Sequence, residues 1–307
     1  MEIIEIKEFA KIKDKTAIAI GKFDGIHLGH RELVRQIQMA KEQQLKSVVF
    51  TFSPSPLSFF SKNPVKELTT KNEKRWFFEK MDVDYLVEYP FDEETAQMTP
   101  ESFVKDILVA KLNVALVVAG DDLKFGRKGV GNDALLQEMA EEFGYEVRII
   151  DKLTNHQREI SSTYVRESLS KGNIELVNEL LGQSYFVQGI VQKGRQIGRT
   201  IGFPTMNIHP DQQKLLPPLG VYFSIVCVRG KRYFAVTNLG LQPTVSDEKQ
   251  VVIESNLFDF HGECYGEEVA VEFIRYHRKE KKFPNIEVLK NEIWKDVESA
   301  KAFFKVD

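Results

Sequence analysis

Short apolar runs alternate with segments of helical spacing through the first half of the chain. Thr16–Gly21 (TAIAIG), Lys46–Phe52 (KSVVFTF), Val83–Tyr89, Val114–Ala119 and Glu146–Asp151 have the length and β-branched content of strands. Leu33, Val34, Ile37 and Ala40 recur on one helical face. Thr99 and Pro100 read as the N-cap and first position of a helix whose face carries Phe103, Val104, Ile107, Leu108 and Leu112. A further helix is expected from Asn132 to Phe143, ending at Gly144. Strands separated by helices predict parallel pairing with crossovers, hence a doubly wound α/β sheet whose ligands bind beyond the carboxyl ends of the strands.

Beyond about Gly182 the rhythm changes. Tyr185–Gln192, Gly220–Arg229, Arg232–Leu239, Val251–Leu257 and Glu268–Tyr276 follow one another with Gly- and Pro-bearing turns and no intervening helix. That succession predicts an antiparallel β-barrel. One C-terminal helix follows, with Ile286, Leu289, Ile293, Val297, Ala300 and Phe304 on a single face. The division is expected at Gly182-Gln183-Ser184, giving domains 1–182 and 183–307.

Composition narrows the class. The 307 residues are 42% hydrophobic and 28% charged, with a formal charge of −3, which argues against bulk attraction to nucleic acid or an anionic membrane. Two cysteines, Cys227 and Cys264, are too few for a disulfide framework or a metal knuckle and fit a reducing cytoplasm. No apolar run approaches the roughly 20 residues of a membrane span, and the N-terminus has no signal-peptide core. The expectation is a cytoplasmic monomer or weak homo-oligomer acting on small molecules, with no nucleic-acid or membrane partner.

The chemistry-bearing residues of the first half follow its first strand: Gly21-Lys22-Phe23-Asp24-Gly25-Ile26-His27-Leu28-Gly29-His30. Glycines admit close backbone approach, and a helix start attracts phosphate through its N–H groups and dipole. His27 and His30, three apart, fall on one face, where imidazoles can donate to charge developing on a transferring phosphoryl group. Ser162 and Arg166, in Ile160–Arg166 (ISSTYVR), are four apart on an expected helix start. In the second half, Gly194–Asn207 (GRQIGRTIGFPTMN) is glycine-rich, and Thr205 and Asn207 point to one side of an extended segment. Their oxygens suit Mg²⁺. Val252, Glu254 and Asn256 share one face of a strand.

These segments resemble prokaryotic FAD synthetases, the bifunctional riboflavin kinase/FMN adenylyltransferase family. The first is similar to the HxGH signature of nucleotidyltransferases with the FDG prefix of that family. Val117–Gly126 resembles its GxDFxFG loop through Asp122, Phe125 and Gly126, and ISSTYVR its ISSTxxR motif. Residues 194–207 resemble the kinase signature GxxxGRxxGFPTAN, Asn238-Leu239-Gly240 with Pro243-Thr244 its N-(I/L)-G-x-x-PT stretch, and Glu254–Gly266 its E-x-x-L-x-DF-x-G-x-x-YG region. The likeness spans residues 14–304.

The resemblance implies ATP-dependent, Mg²⁺-dependent conversion of riboflavin to FMN and of FMN to FAD. It implies His27, His30 and Glu254 as catalytic residues. Gly21, Phe23, Asp24, Gly29, Ser162, Arg166, Gly198, Gly202, Thr205 and Asn207 would bind nucleotide, Asp122, Phe125 and Asn256 flavin, and Thr205 and Asn207 metal. Four positions depart from the pattern. Ser55 stands where relatives carry histidine in PHP, Leu123 replaces an aromatic residue, Met206 replaces alanine, and no acidic residue precedes Gly220. Alternatives are a chain with only its kinase half working, a non-catalytic flavin- or nucleotide-binding regulator, and an adenylyltransferase for a pantetheine or nicotinate nucleotide.

Overall fold

The computed structural model describes residues 1–63, 65–194, 198, 202–243 and 249–306. The chain forms two compact units, Met1–Ser162 and Thr163–Asp307. The packing thus divides the chain earlier than the Gly182 connection. Helices α7 (Ser162–Ser170) and α8 (Ile174–Leu181) fall almost wholly in the second unit, where the Asn178 side chain accepts from Tyr185 N at 2.7 Å and donates to Phe273 O at 2.9 Å.

The first unit is a six-stranded parallel sheet in the order β1-β4-β3-β2-β5-β6. Its strands are β1 (Glu2–Ile4), β2 (Thr16–Ile20), β3 (Lys46–Ser53), β4 (Tyr85–Pro90), β5 (Val114–Gly120) and β6 (Glu146–Ile150). Every residue of β2 is buried, as a central strand covered on both faces requires. Alternation sorts the side chains. Ala17, Ala19, Val49, Leu86 and Val118 face helices α1 (Leu28–Met39) and α3 (Lys71–Lys80), whereas Ile18, Ile20, Phe50 and Val117 face the opposite helical layer.

That second layer corrects one expectation. Thr99 caps as predicted, accepting from Ser102 N at 3.2 Å, but the regular helix lasts only over Pro100–Ser102. Phe103–Lys111 then widens into π geometry and closes with Leu112 N bonded to Ile107 O. The wider turn still buries Phe103, Val104, Ile107, Leu108 and Leu112. The next helix, Asp133–Phe143, behaves as expected. Asn132 accepts from Leu135 N at 3.0 Å, and Gly144 takes φ +72°.

The second unit is a closed barrel in the order β10-β13-β12-β11-β14-β9. Five strands fall where the sequence places them: β9 (Tyr185–Gln192), β11 (Gly220–Val228), β12 (Lys231–Pro243), β13 (Lys249–Leu257) and β14 (Glu268–Arg278). The sixth, β10 (Met206–Ile208), is three residues long and closes the barrel between β9 and β13. Inside, the wholly buried hydroxyls of Ser224, Thr237 and Ser255 form a row across β11, β12 and β13, with spacings of 2.6 and 2.8 Å.

The C-terminal helix α9 (Ile286–Phe304) covers one outer face. Val297, Ala300 and Phe304 pack with Val221, Phe223 and Val236. Its predicted apolar face is buried only from Ile293 onward, and Ile286 is exposed beyond the contact. Buried Asp296 accepts from both Arg278 Nε (2.8 Å) and Arg278 Nη2 (2.6 Å). Removing one partner of a buried pair strands the other charge. Asp296→Ala is expected to lower the stability of the second unit by about 3 kcal/mol, read as a fall in the urea midpoint of full-length protein.

Candidate functional sites

Between Ile20 and Leu28 the chain leaves the central strand and enters α1 through three left-handed residues. These are Phe23 (φ +50°), Gly25 (φ +89°) and Ile26 (φ +46°). For a bulky and a β-branched side chain this conformation is costly, on the order of 1–3 kcal/mol each. Surrounding bonds hold it. Asp24 Oδ1 accepts from Leu68 N at 2.7 Å, Gly25 N donates to Thr69 Oγ1 at 3.1 Å, and Ser162 Oγ donates to the Asp24 carbonyl at 2.7 Å.

The loop delivers His27 to the N-cap of α1, where its side chain makes no capping bond. His30 lies one turn on, and the two rings stack with centroids 3.8 Å apart and planes 20° apart. Gly29 leaves room for this contact: a Cβ there would crowd the His27 ring at 3.3 Å. Both Nδ1 atoms are buried and have no hydrogen-bond partner among the described residues. Burial lowers the His27 pKa to about 4, against an opposing pull from the carboxylates of Asp24 and Asp122. Burial, then the neighbouring His27 and Lys74, holds His30 well below the ordinary histidine value. Two neutral imidazoles therefore face an uncapped helix start at the ligand-binding edge of a parallel sheet.

Several of the expected ligand residues also make contacts within the fold. Phe23 is 0% exposed, with its ring 5.1 Å from His30 and 5.3 Å from Phe78, so it positions the histidine from within the core. Phe125 is 4% exposed and lies 5.5 Å from the Phe103 ring. Gly126 (φ +70°) is needed because a Cβ would come within 2.6 Å of Pro100. One Asp24 oxygen and the Ser162 hydroxyl are committed to bracing the loop. Asp122 is exposed, 3.7 Å from Lys152. Arg166 is half-buried on α7, four residues after Ser162, and belongs to the second unit.

The sequence reading missed an aromatic group at the carboxyl ends of β3 and β4. Phe59 and Phe60, on α2 (Pro56–Phe60), lie 5.4 and 5.9 Å from Phe91, which also contacts Phe52 at 5.2 Å. Phe60 and Leu57 are among the most exposed large apolar side chains. Ser55 caps this helix, accepting from Ser58 N at 3.2 Å. The signal was available: two consecutive phenylalanines on a short segment after a strand are poor candidates for burial.

In the barrel, register does the assembling. Asn207 on β10 is directly opposite Glu254 on β13, and Asn238 on β12 is opposite Glu254 from the other side. Ile253 and Ser255 point into the barrel, so Glu254 and Asn256 stand on its outer wall. Gln242 Nε2 donates to Glu254 Oε1 at 2.7 Å. That orienting bond depends on register between two strands and leaves no trace in sequence.

Asn207 is 5% exposed, and its Oδ1 has no hydrogen-bond partner among the described residues. Gly194 permits this burial, since a Cβ there would collide with the Asn207 amide at 2.6 Å. Gly198 admits the Phe203 carbonyl where a Cβ would come within 2.2 Å, and Gly202 takes φ +89°. Asn256 donates to the Pro204 carbonyl at 2.8 Å, so it tethers the Pro204-Thr205 segment instead of standing free for a flavin. Residues 195–197 and 199–201 of the glycine-rich signature, and Thr244, lie outside the described residues.

Comparison with known proteins follows the same two-part division. Residues 9–164 match the family described as FAD synthetase and residues 181–304 the family described as riboflavin kinase. A bifunctional riboflavin kinase/FMN adenylyltransferase of Haemophilus influenzae is 40% identical over 96% of this chain and 96% of its own length. One of the same name from Listeria monocytogenes is 38% identical over 94% and 92%. A crystal structure from Streptococcus pneumoniae, described as a macrolide-efflux protein, superposes with a TM-score of 0.87 at 28% identity, covering 98% of this chain and 99% of that one. Among the described residues no helix of the present chain is long and apolar enough to cross a membrane.

The histidine pair also governs acid stability. As pH falls below 6.5 an unfolded chain takes up protons that native His27 refuses until about pH 4, so stability present above 6.5 is lost over that window. The displacement corresponds to roughly 3 kcal/mol from His27 alone. His27→Asn is expected to flatten the fall, measured as urea midpoints of the full chain between pH 7.5 and 4.5. With both halves matched in order and relatives aligned over nearly their whole length, the chain belongs to the bifunctional riboflavin kinase/FMN adenylyltransferase family.

Proposed function

We infer that the chain phosphorylates riboflavin to FMN with its barrel and adenylylates FMN to FAD with its parallel-sheet unit, using ATP in both steps. The observation that carries the reading is the presence in one chain of two separate phosphate-handling constellations. One is a stacked, buried histidine pair at an uncapped helix start. The other is an orphaned buried amide oxygen facing a carboxylate across a barrel wall.

In the kinase step the Glu254 carboxylate accepts the proton of the ribityl 5′-hydroxyl as that oxygen attacks the γ-phosphorus of ATP and ADP departs. A hydroxyl is a weak nucleophile at neutral pH, and a positioned general base contributes on the order of 10²–10⁴-fold. Gln242 fixes the carboxylate's orientation. Thr205 and the Asn207 Oδ1 suit Mg²⁺: a buried amide oxygen without a donor is a hard ligand awaiting a cation. Such an ion, when bound, neutralises charge on the ATP phosphates.

In the adenylyl step an FMN phosphate oxygen attacks the α-phosphorus, the α–β bridging bond breaks, and pyrophosphate leaves. With its second pKa near about 6 the phosphate is mostly dianionic and needs no base. His27 and His30 donate N–H bonds to the oxygens on which charge develops. Their neutrality is no obstacle, because an uncharged imidazole retains one N–H. The exposed ring of Phe60, with Phe59 and Phe91 behind it, offers a flat apolar face to an isoalloxazine. Asp122 stands at the rim, close enough for its charge to act on His27.

The functional boundary is placed near residue 182, with residues 1–182 serving adenylyl transfer and 183–307 phosphorylation. The charge of −3 and the two unpaired cysteines, Cys227 pushed up to about 11 by burial and the adjacent Glu272, support a cytoplasmic setting. In that setting the chain is read as a monomer or weak homo-oligomer with small-molecule substrates and no nucleic-acid or membrane partner.

Chromatographic separation of products from riboflavin, ATP and Mg²⁺ tests the reading, and FMN without FAD removes the adenylyl half. Glu254→Gln is expected to lower FMN formation by at least about 10²-fold while FAD formation from supplied FMN persists. His30→Ala is expected to do the reverse, with a loss of about 10²-fold or more in FAD formation; an unchanged FAD rate removes His30 from the chemistry.

A further inference from the structure

Lys74 lies in the first turn of α3 and is 9% exposed. In a β-α-β crossover that turn sits at the carboxyl edge of the sheet, the ligand side. Lys74 shares a helix face with Phe77 and Phe78. The Phe78 ring packs edge-on against Phe23, which packs against His30. The segment leading into the helix is fastened to the histidine loop by the Leu68–Asp24 and Thr69–Gly25 hydrogen bonds.

Two neighbouring cations of this helix are paired. Lys71 and Arg75 pair with Glu5 and with buried Glu88. Glu73, adjacent in sequence, is engaged with Thr70 in a capping box. Among the described residues no hydrogen bond or ion pair engages the Lys74 ammonium.

This placement opposes ordinary stability twice. A cation near a helix start meets the positive end of the dipole, and a largely buried lysine stem without a counter-charge for its ammonium loses hydration unrepaid. The same side of the unit holds the uncapped start of α1 and two buried imidazole nitrogens without hydrogen-bond partners. Lys74 and His27 both act to disfavour protonation of His30. Lys74 thus adds a positive charge beside the imidazole pair, on the side where the carboxylates of Asp24 and Asp122 also act.

We propose that Lys74 is a catalytic residue of adenylyl transfer whose ammonium binds the pyrophosphate leaving group of ATP. This rests on reading the first unit as the adenylyltransferase. The FMN phosphate oxygen forms the new bond to the α-phosphorus, the α–β bridging bond breaks, and its electron pair stays with pyrophosphate. Lys74 remains protonated throughout and balances the charge that accumulates there.

The test uses full-length wild type, Lys74→Met and Lys74→Arg, assayed for FAD formation from FMN and ATP and for the reverse reaction of FAD with pyrophosphate. Absence of both reactions in wild type would sink the adenylyltransferase reading itself, before Lys74 is at issue. Expected for Lys74→Met are a kcat for FAD formation about 10²-fold lower and a KM for pyrophosphate about 10-fold higher. The KM for FMN and the rate of riboflavin phosphorylation stay within twofold of wild type, and Lys74→Arg recovers part of the loss. The acid limb of its pH profile moves upward, since His30 has lost a positive neighbour. Its unfolding midpoint is unchanged or raised. An unaltered KM for pyrophosphate, or a lowered midpoint accompanied by equal losses in FMN and ATP affinity, makes Lys74 a structural cation and overturns the proposal.

Discussion

The first unit turns on the seven residues, Gly21 to His27, that carry the chain from Ile20 into Leu28. A parallel sheet brings helix starts to one edge, and a helix start ordinarily recruits a serine, threonine or aspartate to satisfy its amides. Here a histidine occupies that position and satisfies none of them. The backbone accepts left-handed geometry at Phe23 and Ile26 to bring the two imidazoles together, and bonds from Leu68, Thr69 and Ser162 prevent its relaxation. The strain and the uncapped amides mark a surface organised around something the chain itself does not supply.

The second unit reaches a comparable result by another route. The Glu254 side chain rises from a regular strand, and what faces it is decided by pairing. The three residues of β10 place Asn207 opposite Glu254, and Gly194 leaves the space in which the Asn207 amide is buried. Asn256 then holds the Pro204 carbonyl, so the segment bearing Thr205 is anchored to the same strand as the carboxylate. The constellation is thus a product of register.

Much of this was legible in the sequence because it rests on local signals. The sequence pattern located four barrel strands to within two residues at each end and the fifth, β12, all but its last four residues, and Thr99, Asn132 and Gly144 bound their helices as their side-chain chemistry dictates. The motif residues His27, His30, Asn207 and Glu254 were found by type and spacing. What escaped was what depends on distance in the chain. The Gln242–Glu254 bond spans two strands, and the Phe91–Phe59 contact joins segments separated by a helix. The π-helical stretch Phe103–Lys111 keeps the same apolar residues buried as a regular helix would, so periodicity cannot distinguish the two. The packing of Phe23 and Phe125 and the Asn256–Pro204 bond were equally invisible: the sequence does not say which neighbours such side chains meet.

The row of hydroxyls through Ser224, Thr237 and Ser255 has a bearing on specificity that packing alone would not give it. An apolar barrel interior tolerates strands that slide by two residues, since such a shift keeps every side chain on its own face. Here a two-residue shift of β13 would set Ser255 across from Ala235 or Leu239 and leave buried hydroxyls facing hydrocarbon, at about 1–3 kcal/mol apiece. The row works like the notches of a key. It admits one alignment of the three strands, and that alignment is the one in which Glu254 on β13 meets Asn238 on β12.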